Sequence, residues 1–273
     1  MKLVIMNNFS KLDPNAPIFG ALQSSSLFQK LKEDKELYIE VRKDNYLNVY
    51  YQGGCVAKID YKDGLVFTTH NKYLGIGESG YTLSENFLES DLESVKKRVK
   101  EKYSQKKYLE SNKTEDLSEK FYQADLILRK YAVVHLDSEF AYNKDDKQRI
   151  DIVCCNEDGE VSFVELKIIG DGRLSGSMEV LDQMDKYIGF IRKYEFDLLD
   201  HYQKVYDVKK QLGLPIPPCR PASIVRKPIL LVLNNYTKIE HKRKAKIENF
   251  KNACVESSFA LIWSNDQGEE ITV

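Results

Sequence analysis

The chain has little cysteine, a single tryptophan, few histidines and no long apolar run. Its five cysteines are odd in number and form no CxxC pair, so neither a zinc site nor a disulfide framework is expected. Cys154 and Cys155 stand side by side in an apolar stretch and read as buried, reduced thiols of a cytoplasmic protein. The four histidines, at 70, 135, 201 and 241, have no metal-ligand spacing. The longest apolar run, 229–233, is a strand in length, far short of the roughly 20 residues of a membrane span. The opening Met1-Lys2-Leu3-Val4-Ile5-Met6 is too short for a signal peptide, and no membrane partner is expected. An excess of one sign of charge is missing too. Lysine and arginine total 41, aspartate and glutamate 42, for a net charge of -1, so the chain as a whole does not announce a polyanionic partner.

What is present fits a globular protein. A length of 273 residues holds one large domain or two smaller ones, and 42% apolar with 30% charged residues can build a substantial core. Two basic clusters interrupt the neutral balance, Lys96-Lys97-Arg98-Val99-Lys100 with Lys106-Lys107, and Lys242-Arg243-Lys244-Ala245-Lys246. Each can meet phosphates or be a solvated helix face.

The first part of the chain reads as strands and turns. Glu36-Leu37-Tyr38-Ile39-Glu40-Val41-Arg42 alternates apolar and polar residues. Turns at Asp44-Asn45, Gly53-Gly54 and Asp63-Gly64 separate it from stretches at 46–51, 55–60 and 65–69, which predicts an antiparallel meander. A charged helix over 85–110 follows, and the polar break Glu110-Ser111-Asn112-Lys113-Thr114 divides the chain into 1–112 and 113–273. The second part predicts a helix over 116–130 and strands near 131–141, 149–155 and 161–169. One long helix over 176–211 ends before the prolines of Gly213-Leu214-Pro215-Ile216-Pro217-Pro218. Strand 228–234, helix 238–254 and strand 258–263 complete an α/β (α+β) order that suggests a central mixed β-sheet flanked by helices.

Three charges stand inside the most apolar of these strands. Asp151 lies in Arg149-Ile150-Asp151-Ile152-Val153-Cys154-Cys155, and Glu165 and Lys167 lie in Val161-Ser162-Phe163-Val164-Glu165-Leu166-Lys167-Ile168-Ile169. Such charges are paired, bind a metal or do chemistry. Residues i and i+2 of a strand share a face, so Glu165 and Lys167 point the same way, about 7 Å apart, while Val164, Leu166 and Ile168 point into a core. Whether Asp151 joins them depends on the hairpin turn. A two-residue Asp158-Gly159 turn opposes Asp151 to Leu166, on the wrong face. A three-residue loop, Glu157-Asp158-Gly159, opposes it to Glu165 and suits a glycine in third place. Two facing carboxylates can hold a divalent cation, and a neighbouring lysine can stabilise charge on an attacked phosphodiester and orient or deprotonate water. A structural ion pair is the alternative reading.

Asp151, a hairpin and Glu165-Leu166-Lys167 together resemble the signature of the PD-(D/E)XK nuclease superfamily. Gln183-Met184-Asp185-Lys186-Tyr187 is similar to the Gln-x-x-x-Tyr motif of its RecB-like members, with Gln183 and Tyr187 one turn apart on a helix. The resemblance spans roughly residues 114–265 and lacks the signature's proline, since Ile150 precedes Asp151. It implies a restriction-endonuclease-like core and metal-dependent hydrolysis of DNA, with RNA left open and a homodimer compatible with it. Asp151 and Glu165 would be ligands of Mg²⁺ or Mn²⁺, with the Leu166 carbonyl a candidate third. Lys167 would be the catalytic lysine, and Gln183 and Tyr187 would orient substrate or ligands. Tyr187 packing beside Met184 and Ile188, with Gln183 as polar helix surface, is the plainer reading of that motif. The family often carries a further acid on its first core helix, for which Glu119 is the candidate; equally, Asp116-Leu117-Ser118-Glu119 reads as a capping box with Asp116 at its start. The alternative function is a protein that keeps a nuclease-like fold and binds nucleic acid or another protein without cutting.

Two glycine-rich stretches stand outside that reading. Gly75-Ile76-Gly77-Glu78-Ser79-Gly80 matches a dinucleotide fingerprint but lacks its strand–turn–helix context and reads as a loop. Gly170-Asp171-Gly172-Arg173-Leu174-Ser175-Gly176 can offer backbone N–H groups and Arg173 to a phosphate or serve as a connection. The 17 tyrosines can stack bases, though Tyr46, Tyr50 and Tyr51 are expected on sheet faces and in cores.

Overall fold

Apolar residues alternating along short strands, with turn residues between them, build the first layer of the computed structural model. It describes residues 10–103, 118–141, 149–169, 171–175, 179–234, 241–255 and 257–265. The 110–114 break, Lys106, Lys107 and Asp116 lie outside that set, as do the side chains of Lys242, Arg243, Lys244 and Lys246.

Two short helices that the sequence reading lacks come first, α1 (Pro17–Gln23) and α2 (Ser26–Glu33). Their causes are local. Pro17 opens α1 with its φ already set for a helix. Ser25 caps α2, accepting from Phe28 N at 3.2 Å. The strands β1 (Leu37–Arg42), β2 (Tyr46–Tyr51), β3 (Gly54–Tyr61), β4 (Leu65–His70) and β5 (Tyr81–Leu83) form one antiparallel sheet in that order. Asn45, Gln52, Gly53 and Asp63 take left-handed conformations in its turns. Between β4 and β5 lies α3 (Asn71–Leu74), and the glycine-rich 75–80 stretch connects α3 to β5. It is no strand–turn–helix unit. The charged helix is α4 (Glu85–Tyr103), broken at Asp91 by a non-helical backbone.

The second sheet is mixed. Helix α5 (Glu119–Leu128) leads to β6 (His135–Ala141), β7 (Arg149–Cys155) and β8 (Glu160–Ile168). Helices α6 (Gly172–Ser175), α7 (Glu179–Lys193) and α8 (Glu195–Leu212) precede β9 (Ser223–Ile224), β10 (Ile229–Asn234), α9 (His241–Cys254) and β11 (Ala260–Asn265). The order across the sheet is β11-β10-β8-β7-β6, with β9 beside β8. Strand β10 runs parallel to β8 and β11, while β7 is antiparallel to β6 and β8.

The single helix expected over 176–211 is two helices, because the chain breaks at Tyr194, whose backbone leaves helical geometry before α8 begins. Glu119 does not stand third in its helix, as a capping box begun at Asp116 requires. Ser118 is the cap, accepting from Phe121 N at 3.2 Å, which makes Glu119 the first helical residue.

Both faces of the mixed sheet are covered. Ile152, Cys154, Val164, Leu166 and Leu231 pack with Tyr122, Leu126 and Ile127 of α5. Val153, Val161 and Phe163 face Met184, Tyr187, Tyr202 and Val205 of α7 and α8, in a core that continues into Val41, Leu47, Val49 and Ile59 of the first sheet. Each fully buried Leu, Val or Phe contributes about 1.5–3 kcal/mol. The sheets also meet through buried charge. Glu40 of β1 lies 2.9 Å from Lys209 Nζ on α8, 2.6 Å from His135 Nε2 on β6 and 2.9 Å from Ser138 Oγ. Arg42 pairs with Asp137 at 3.0 Å. Burial would raise the Glu40 carboxyl, but Lys209 and His135 hold it well below the usual range.

Candidate active site

The β7–β8 hairpin sets the site. Its ladder runs Ile152↔Val164 to Cys155↔Val161, which carries Asp151 to the position opposite Glu165. Asn156 N donates to the Glu160 carbonyl at 3.1 Å and closes the three-residue loop 157–159. Gly159 sits there at φ +77, and a Cβ on it would meet the Arg220 carbonyl oxygen at 2.8 Å, so both backbone and space call for glycine. Beyond Ile152 the regular ladder stops, and the Asp151 side chain takes over: its Oδ2 accepts from Leu166 N at 2.8 Å.

Glu165 and Lys167 follow on the same face of β8, each only 2% exposed. Lys167 Nζ donates to Glu165 Oε1 and, at 2.9 Å, to the Leu166 carbonyl. Helix α7 crosses above. Gln183 Nε2 donates to Glu165 Oε1 at 2.8 Å and to the Tyr187 hydroxyl at 3.0 Å. The Tyr187 hydroxyl lies 2.7 Å from Glu165 Oε2 and also reaches the Arg149 carbonyl. Gln183 is thus engaged with the carboxylate and is not mere polar surface, while Tyr187 is fully buried and bonded as well as packed. Gln123 of α5 donates to the Asp151 carbonyl at 2.6 Å. Sequence reading missed this contact, since a glutamine in a helix carries no signal of its partner.

Glu119, at the start of α5, brings Oε2 within 4.0 Å of Lys167 Nζ. All six candidate residues therefore surround one point, although Glu119 approaches only through the lysine. The β2–β3 turn supports that helix end: Gly53, at φ +86, lies so close that a Cβ would stand 2.5 Å from the Lys120 carbonyl oxygen. On the far side, Asp171 holds Arg173 through Oδ1 and Oδ2, each 3.0 Å from Nε. Arg173 is thereby tied into the loop and lines the cleft. The cleft has a volume of about 470 Å³ and is also lined by Arg149, Glu179, Asp182 and Lys186.

Charge is unevenly balanced. Burial first, and then the Glu165 charge, push the Asp151 carboxyl well above its ordinary range despite Lys167. Burial, aided by Glu165, likewise raises Glu119. For Lys167 burial lowers the pKa, but Glu165, Asp151 and Glu119 outweigh it and hold the ammonium charged. Among the described residues no set of three or more His, Cys, Asp or Glu side chains converges as a cation site. Asp151 and Glu165 are the two carboxylates that face each other across the hairpin, and the Leu166 carbonyl beside them already accepts from Lys167. An all-oxygen pair in a pocket short of positive charge fits a hard divalent ion that retains most of its waters.

No helix of the described residues is long and apolar enough to cross a membrane. Comparison of the chain with protein-family models, with curated proteins and with solved structures finds no match.

Proposed function

We propose that the chain is a metal-dependent nuclease that hydrolyses phosphodiester bonds of DNA, on a restriction-endonuclease-like core. The observation that supports it is the meeting of Asp151 and Glu165 across a three-residue hairpin, with Lys167 on the same face and Gln183 and Tyr187 bonded to Glu165. Asp151 and Glu165 would hold Mg²⁺ or Mn²⁺. The ion supplies a Lewis acid for the phosphoryl oxygen and lowers the pKa of bound water. The residues do the remainder. Lys167, charged and buried, stands where negative charge grows on an attacked phosphate. Gln183 and Tyr187 fix the Glu165 carboxylate in one orientation. Arg149 and Lys186, at the cleft wall, can meet flanking phosphates.

The second reading, a binding protein that does not cut, draws on one feature: Glu165, Lys167 and the Leu166 carbonyl already satisfy one another. Incubation with duplex and single-stranded DNA and with RNA, in Mg²⁺, Mn²⁺ or EDTA, separates the two. Cleavage that needs the cation and is lost in Glu165→Ala and Lys167→Ala is expected. Binding without cleavage on every substrate supports the second reading, and cleavage that survives both substitutions means the site lies elsewhere.

A further inference from the structure

The first sheet turns one face to its core; the other is buried against β6 along β1, where Tyr38, Glu40 and Arg42 lie, and opens towards β4 and β5. On that outer face, period-two alternation brings Tyr46, Asn48 and Tyr50 of β2 to one side. Lys58 of β3 lies opposite Asn48, and His70 of β4 lies opposite Tyr81 of β5. These residues line a groove of about 350 Å³. Tyr81 is 68% exposed, at the sheet's edge. The cations lie against the rings: Lys58 Nζ is 4.3 Å from the Tyr46 ring centre, and Lys72 Nζ is 4.8 Å from that of Tyr73. His70 meets Tyr81 edge-on at 4.9 Å.

Charge in the groove favours an anion. Among the described residues, Lys58, Lys72, Lys120 and Arg149 line it, against Glu139 as the one carboxylate of the lining. Lys120 and Arg149 share that carboxylate, at 3.2 and 2.9 Å, and Lys58 has Asp60 at 2.9 Å. Cations remain in excess. Arg149 lines both the groove and the cleft. Its main chain carries on to Asp151, and its side chain lies over the groove beside Glu139. Glu139 itself adopts φ 55 within β6, a left-handed conformation costly for a residue with a side chain, and holds Lys120 and Arg149 together at this junction.

We propose that the outer face of the first sheet is a binding site for a single-stranded polynucleotide, leading it past Arg149 into the cleft. This rests on the nuclease reading for what happens in the cleft. Alternating rings and cations suit a strand with unpaired bases, since aromatic side chains need exposed base faces and lysines need phosphates. A duplex keeps its base faces stacked on one another and has none to offer Tyr46 or Tyr81.

The test is fluorescence anisotropy with the full chain in EDTA, using labelled oligo(dT) and oligo(rU) of about 15 nucleotides and a DNA duplex of the same length. Tyr81→Ala is expected to weaken oligo(dT) and oligo(rU) binding about tenfold and to leave duplex binding unchanged. Lys72→Ala is expected to flatten the dependence of log affinity on log salt by roughly 0.7. Thermal melting checks that both variants fold. Absence of single-strand binding by the wild type overturns the proposal, as do unchanged affinity and salt slope in both variants, or equal weakening on duplex. The assay needs no cleavage. A wild type that never cuts but binds through Tyr81 and Lys72 sinks the nuclease reading and keeps the groove. One that cuts while both variants bind normally sinks the groove alone.

Discussion

Asp151 accepts the backbone N–H of Leu166 through Oδ2 at 2.8 Å, so a side chain stands where the β7–β8 ladder would continue. The bond keeps the carboxylate beside Glu165 while the two strands part to open the cleft. The price is a crowding of negative charge, with Lys167 as the cation that acts on Asp151.

Asp151→Asn relieves this crowding and can keep the bond from Leu166 N. The metal-free variant is therefore expected to melt higher than the wild type, by about 2 °C or more, since each kcal/mol is worth roughly 2–4 °C at this size. Adding Mg²⁺ or Mn²⁺ should raise the melting temperature of the wild type and leave the variant's unchanged. Calorimetry with and without EDTA reads both effects. A wild type that ignores both cations would contradict the ligand assignment of Asp151 and Glu165.

Lys167→Met removes the cation from the Glu165 pair at a site with 2% exposure. Leaving Glu165 buried and uncompensated is expected to cost about 3–5 kcal/mol without metal. Denaturant unfolding in EDTA measures it. Cleavage by the folded fraction should fall by more than about a hundredfold.

Tyr187→Phe deletes the hydroxyl 2.7 Å from Glu165 Oε2 and leaves the packed ring. A hydrogen bond to a charged group is worth about 1.5–3 kcal/mol. We expect cleavage to fall about tenfold, with cation-induced stabilisation retained. Gln183→Ala should behave alike, and the double variant should lose less than the sum, because the two side chains bond each other and the same carboxylate.

Gly159→Ala strains a loop residue at φ +77 and sets a Cβ against the Arg220 carbonyl. A stability loss of about 1–2 kcal/mol is expected from the backbone conformation alone. Because this loop decides which side chain opposes Glu165, cleavage should fall further than the lost stability explains. Comparing activity per folded molecule against the unfolding curve checks it.

Acid should unfold the protein through groups buried neutral as well as through its carboxylates. Burial, with Lys43 and Lys204 adding, holds His201 down to about 3. The unfolded chain binds a proton there near pH 6.5, so between about pH 6.5 and 3 it holds more protons than the folded one. Stability then falls as pH is lowered, by up to about 1.4 kcal/mol per pH unit. Glu40 adds to this in acid: its pKa is lowered in the fold, so its contribution is present above the unfolded value near 4.3 and lost below it. His201→Phe should flatten the stability curve between pH 6 and 4 (a range set by those pKa values), as read by urea unfolding at each pH.

The local pieces are legible in the order of residues alone. Alternation and turn residues marked β1 to β4, and the charges at Asp151, Glu165 and Lys167 stood out against the apolar strands around them. Gly159 in third loop position pointed to the register that opposes Asp151 to Glu165. These features rest on interactions within a few residues, which a sequence displays directly. It did not display the break at Tyr194 or the cap at Ser118, where several nearby residues compete for the same role. Nor could it show that Gln123 reaches the Asp151 carbonyl, that Glu40 meets Lys209 and His135 between the sheets, or that Arg149 lines both cleft and groove. Those contacts join residues far apart in the chain. Only the packing of helices and sheets decided them, because the cost of burying each charge is met by partners that no local pattern names.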